Sequence, residues 1–156
     1  MFFFGKILVT NIFFFIFGKI FQKYFLNEKT SLHQSETAIF GAVFLSFLAL
    51  LLNFFFPLDK ILNSIVIILS LFFIHSSLIT KKDLQFVLIS SILTFIIIAY
   101  SNINTPDAGL YHLPYTQILN ENKLIVGLSN LHSRFGHISI IQYLSAINYN
   151  LVTNVE

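Results

Sequence analysis

Apolar residues run through this chain in long blocks, with no alternation and little helical striping. Four windows carry almost no charge: residues 2–21, 38–56, 61–80 and 84–103. Each is about 20 residues, the length a helix needs to cross a hydrocarbon core about 30 Å thick. A backbone immersed in lipid must satisfy its own hydrogen bonds, so each window predicts a helix and not an isolated strand. Lys6 and Lys19 lie near the ends of the first window, where long side chains can reach the headgroups. That window has no basic region before it and no small-residue cleavage site, so it reads as an uncleaved span and not as a signal peptide. Pro57 to Lys60 predicts a tight turn after the second window, and Lys81-Lys82-Asp83 a turn after the third.

The pattern then changes. Residues 104–137 mix polar and apolar positions over a length far greater than a hairpin between helices requires, and long connections of this kind are usually functional. Thr105-Pro106-Asp107 predicts a helix start, with Thr105 or Asp107 near the N-cap. A short helix from Ala108 to about Leu119 follows, kinked or broken at Pro114. The triplet Asn120 to Asn122 ends it, and Gly127 and Gly136 break what comes next. A last apolar segment, 138–152, contains Gln142, Asn148 and Asn150. It reads as a fifth helix, short and partly polar.

Composition sharpens this picture. The 156 residues are 56% hydrophobic and 10% charged, too little polar surface for a water-soluble domain. The fold class expected is therefore all-α, a polytopic transmembrane bundle of four to five spans with a short juxtamembrane helix, forming one membrane domain over 1–156. The net charge of +2 and the lack of a basic stripe set nucleic acid aside as a partner. Without cysteine there is no disulfide, thiolate zinc site or cysteine nucleophile. The 20 phenylalanines, with the many isoleucines and asparagines, fit a bias in genome composition and do not by themselves mark a ligand site.

Lysines orient the chain. Lys19, Lys23 and Lys29 come after the first helix and Lys81 and Lys82 follow the third window, whereas the turn after the second holds only Lys60, paired with Asp59. The positive-inside rule puts the first and third connections in the cytosol and turns the 104–137 loop outward.

Chemistry concentrates in that loop. Asp107 fits a helix N-cap, and equally a carboxylate that acts as general base or holds a cation near the membrane surface. His112 fits a structural hydrogen bond or a catalytic group. Tyr111 and Tyr115, four apart on a helix, share a face with His112 beside them. They fit an interfacial belt or a stacking platform for a sugar. Arg134 is the only arginine, and its fork suits a phosphate or a headgroup anchor. His132 and His137 are five apart with Gly136 between them, not the spacing of metal ligands on a helix. His33 and His75 read as structural.

Residues 106–146, PDAGLYHLPYTQILNENKLIVGLSNLHSRFGHISIIQYLSA, resemble a group of large bacterial polytopic membrane proteins. Their shared pattern is D-x-G-L-Y-H, then V-x-G-L-x-N-L-H-x-R, then a polar-apolar helix. The group is similar to C-type membrane glycosyltransferases, in which an outward loop carries an acid close to the membrane. That acid activates the acceptor or orients a divalent cation, and the donor is a polyprenyl-phosphate-linked sugar. The resemblance implies catalytic roles for Asp107 and His112 and substrate contacts from Tyr111, Tyr115, Asn130, His132 and Arg134. It implies a bacterial inner membrane and work on a cell-envelope glycan. Two departures stand out: the acid follows the fourth apolar window instead of the first, and such enzymes have many more helices. The chain is thus expected to be the amino-terminal portion of a larger protein, completed by further membrane helices. The alternatives are a polysaccharide polymerase or transport component, and a small non-catalytic membrane protein.

Overall fold

In the computed structural model the chain is all-α, with no strand among the described residues, which are 2–26, 32–73, 79–101, 108–130, 133–136 and 139–152. Among these residues six α-helices follow in order: α1 Phe2–Phe25, α2 Gln34–Asn53, α3 Lys60–Phe73, α4 Lys81–Tyr100, α5 Leu113–Glu121 and α6 Ile140–Val152. Three stretches, Phe3–Phe25, Gln34–Asn53 and Lys81–Tyr100, are long and apolar enough to cross a membrane. The third apolar window is helical over the 14 residues of α3, which rise about 21 Å. Residues 74–78, and with them His75, lie outside the described residues.

The start points differ from those expected, for local reasons. Lys81-Lys82-Asp83 is not a closing turn but the first turn of α4. Thr80 caps it, its Oγ1 accepting from the Asp83 amide at 3.3 Å while Asp83 Oδ2 accepts from the Thr80 amide at 2.9 Å. This reciprocal pairing satisfies two amides that no helical carbonyl can reach. Likewise α2 begins at Gln34 instead of Ala38. The Glu36 carboxylate accepts from the His33 amide at 2.8 Å, and buried Thr37 donates its hydroxyl to the His33 carbonyl at 3.0 Å, which holds the polar first turn.

The chain divides into two compact units, residues 1–45 with 67–103, and residues 46–66 with 104–156. In the first unit α1 packs antiparallel to the opening half of α2. Gly18 lies against the Thr37 carbonyl and Gly41 against the Phe14 carbonyl, each so close that a Cβ would collide with backbone. Small residues let helices approach where lipid supplies no hydrophobic drive between them. Phe21 stacks on Phe40 with ring centroids 5.5 Å apart. α1 also packs antiparallel to α4: Phe4 meets Phe95 edge-on at 5.8 Å, and the Asn11 amide donates to Ser91 Oγ at 3.0 Å. The opposite face of α4, including Leu84, Leu88, Ile92 and Ile96, is exposed. Such a contiguous apolar face suits lipid and not water.

The second unit is built on Asn53, at the end of α2, and on α5 and α6. Tyr115, Leu119, Tyr143, Ala146 and Ile147 form its core, each 2% exposed or less. α5 begins after a π-helical turn, Ala108–His112, with Pro114 in its own first turn. Proline has no amide and clashes with the carbonyl four residues back, and the wider turn relieves that clash. The segment is thus one widened helix entry instead of two separate turns. α6 spans 13 residues, too few to cross a bilayer alone. Its start is held by Ser139, whose amide donates to Gln142 Oε1 at 3.1 Å and whose Oγ accepts from the Ile141 amide at 3.3 Å.

Candidate functional site

Asn53 organises the second unit. Its side chain is fully buried, and its Nδ2 donates toward the carbonyls of Asn122 at 3.0 Å, Leu119 at 3.3 Å and Phe56 at 3.3 Å. Its own carbonyl accepts from the Leu124 amide at 2.8 Å. Carbonyls at a helix C-terminus have no intrahelical donor. Asn53 supplies one to the end of α5 from 66 residues away in sequence. Leu58, also fully buried, donates its amide to Leu119 O at 2.9 Å. Its carbonyl accepts from Asn63 Nδ2 at 3.1 Å. The expected tight turn at 57–60 is therefore a docking strap that pins the C-terminal end of α5. Asp59, read as a partner for Lys60, serves as the cap of α3, accepting from the Leu62 amide at 2.8 Å.

With its C-terminal end held, α5 points its N-terminal end into the loop that carries the sequence pattern. Tyr111 is half-buried and His112 exposed, their ring centroids 4.4 Å apart. Tyr115, four residues after Tyr111, turns into the core, where it is 1% exposed. Its hydroxyl is buried beside that of Tyr143. Burial, and then the neighbouring Tyr143 hydroxyl, raise its pKa well above the ordinary phenol value.

Tyr115 also joins the two halves of the pattern. Its ring meets that of Phe135 at 5.9 Å, which seats the Ser133–Gly136 turn against α5. Arg134 lies in that turn, one residue from the contact; its side chain is outside what the structure describes. Gly127 has a φ of +89°, a left-handed conformation that glycine adopts without steric cost. This turn, closed by the Asn130 amide donating to Gly127 O at 2.9 Å, leads the chain back toward α5. The Asn130 side chain is exposed. Asp107, His132 and His137 lie outside the described residues. Among the described residues no three His, Asp or Glu side chains come together in a group able to hold a metal.

Fold and site together define an all-α protein with three helices long and apolar enough to cross a membrane and a second helical unit that carries a histidine-tyrosine edge. The chain belongs to the family described as a domain of unknown function (DUF8201), which matches residues 1–154. No curated protein and no solved structure matches it.

Proposed function

We propose that this chain is the amino-terminal part of a membrane glycosyltransferase-like protein that takes sugar from a polyprenyl-phosphate donor for a cell-envelope glycan. The observation that carries the reading is the ring contact between Tyr115 and Phe135. It draws the Tyr111-His112 edge and the Arg134 turn, which belong to the two separated halves of the sequence pattern, onto one helix. Asp107 precedes that helix immediately in sequence.

In the proposed reaction, Asp107 takes the proton of the acceptor hydroxyl as its oxygen bonds to the sugar C1. The bond between C1 and the phosphate oxygen breaks, and polyprenyl phosphate departs. Arg134 offsets the charge developing on that phosphate. Tyr111 and His112 receive the sugar, with Asn130 and His132 as further contacts. Buried Tyr115 holds the helix in place instead of touching substrate. A divalent cation at Asp107 fits the same chemistry. The site faces outward across a bacterial inner membrane. Four of the lysines that set this orientation by the positive-inside rule, Lys19, Lys23, Lys81 and Lys82, occur at the C-terminal end of α1 and the N-terminal end of α4, which are the same end of the first unit.

The test is transfer from a polyprenyl-phosphate sugar by the full-length protein. Asp107→Asn should abolish turnover while donor binding survives, and Arg134→Gln should weaken donor binding. Unchanged turnover in Asp107→Asn rules out the base role. Donor binding without any transfer in the unaltered protein would favour a polymerase or transport component.

A further inference from the structure

The first unit holds a cleft of about 230 Å³ between α1, α2 and α4, lined by Asn11, Ala38, Ile39, Phe86, Ser90 and Thr94 among others. We propose that it binds one anionic phospholipid, with an acyl chain along the cleft and the phosphate headgroup at Lys82 and Lys23. The proposal does not depend on the glycosyl-transfer reading.

The geometry of the rows supports it. On α4, Lys82, Phe86, Ser90 and Thr94 succeed one another at intervals of four and lie along one face. On α1, Asn11, Phe15, Lys19 and Lys23 do the same. The two rows meet at Phe15 and Phe86, ring centroids 6.2 Å apart, and Lys19 reaches Asp83, the neighbour of Lys82, at 3.4 Å. Each row is thus uncharged along the cleft and becomes cationic at the same end. Ser35, in the first turn of α2, also lines the cleft there. Lys82 and Lys23 are exposed, and the Lys23 ammonium lies 5.1 Å from the centre of the Tyr24 ring.

Charge selects the headgroup. At this end, among the described residues, Lys19, Lys23, Lys81 and Lys82 stand against only Glu36 and Asp83. Asp83 is engaged by Lys19 and Thr80, and Glu36 by the His33 amide. The excess is positive, located where the ends of three helices approach the headgroups. Size selects the tail. One turn of helix about 10 Å across and 5.4 Å long fills about 400 Å³, so the cleft is too small for a further helix and takes a slender hydrocarbon chain. Ile39, at its edge, is 64% exposed, which leaves the cleft open sideways to the bilayer.

Native mass spectrometry of the purified full chain, delipidated and then titrated with phosphatidylglycerol or phosphatidylcholine, tests the proposal. One phosphatidylglycerol should bind in preference to phosphatidylcholine. Lys82→Gln with Lys23→Gln should weaken phosphatidylglycerol by about tenfold, the loss of one charge-assisted contact, and leave phosphatidylcholine unchanged. Ser90→Phe should fill the cleft and weaken both lipids; if it fails to fold, Ala38→Leu serves the same purpose. Equal binding of the two lipids by the unaltered chain overturns the proposal. So does undiminished phosphatidylglycerol binding in the double lysine variant or in the folded cleft-filling variant. A dimer that Ser90→Phe dissociates, with no change in lipid binding, gives the cleft to a second copy and also overturns it.

Discussion

Lys19 and Asp83 meet at 3.4 Å across the α1–α4 contact, the carboxylate 5% and the ammonium 22% exposed. Lys19 was expected to reach for headgroups. Instead its ammonium passes 5.3 Å from the centre of the Phe15 ring and ends on Asp83. Asp83 performs two tasks, because the oxygen that receives Lys19 also accepts the Thr80 amide.

This double duty makes the pair asymmetric. Asp83→Ala should destabilise the protein by about 2–3 kcal/mol, combining a lost cap with an unpaired ammonium. Lys19→Met should cost less, because the cap persists. Exchanging the charges, Lys19→Asp with Asp83→Lys, should recover only part of the loss, since lysine cannot accept the Thr80 amide. Equilibrium unfolding of the variants in mixed micelles checks the order.

The α1–α2 contact predicts an intolerance of even one methyl group. Gly41→Ala places its Cβ on the Phe14 carbonyl and Gly18→Ala places its Cβ on the Thr37 carbonyl, backbone groups that cannot swing aside. Each should cost about 1–3 kcal/mol by overpacking. Gly5→Ala should be neutral or slightly stabilising, because its added Cβ meets nothing and alanine is the better helix former. Thermal denaturation in detergent separates the three.

Asn53 should prove hard to replace. Asn53→Ala leaves the Leu119 and Asn122 carbonyls without this donor, at about 1–3 kcal/mol for the exposed deficit. Asn53→Asp should be worse at neutral pH, because a carboxylate faces those carbonyls and cannot donate. The readout is local: amide exchange at Leu58 and Leu124, which donate to Leu119 O and Asn53 O, should accelerate ahead of that in α6.

Tyr115 predicts an alkaline limit to stability. Its phenol has a folded pKa raised above the ordinary 10.0, so the folded state holds this proton more tightly than the unfolded one. The stability is present in full at neutral pH, and is lost progressively as pH climbs above about 10. Tyr115→Phe should remove this sensitivity at a cost near neutral pH of no more than about 1 kcal/mol, the worth of one hydrogen bond to the Tyr143 hydroxyl. Absorbance titration of phenolate should show one fewer late-ionising tyrosine in the variant.

The apolar blocks were legible because their cause is local: each window needs only lipid and its own backbone bonds to become helical. The all-α class, the π-widened entry at Pro114 as a point of irregularity, and the end of α5 near Asn120 to Asn122 follow from residues close in sequence. The roles of Lys19, Asn53, Leu58 and Asp83 did not show, since each depends on a partner far along the chain. A leucine between Pro57 and Asp59 looks like any turn residue until its amide is found on Leu119. Tyr111 and Tyr115, spaced four apart, differ in depth, one half-buried and the other 1% exposed, because packing and not spacing decides burial.

Sequence alone therefore determined the solvent this protein suits and the helices it forms, because hydropathy and backbone satisfaction act residue by residue. Tertiary structure alone decided which polar groups are spent on holding helices together and which stay exposed. Asn53 and Tyr115 went to the core and His112 to the surface, a sorting that depends on packing and not on residue type.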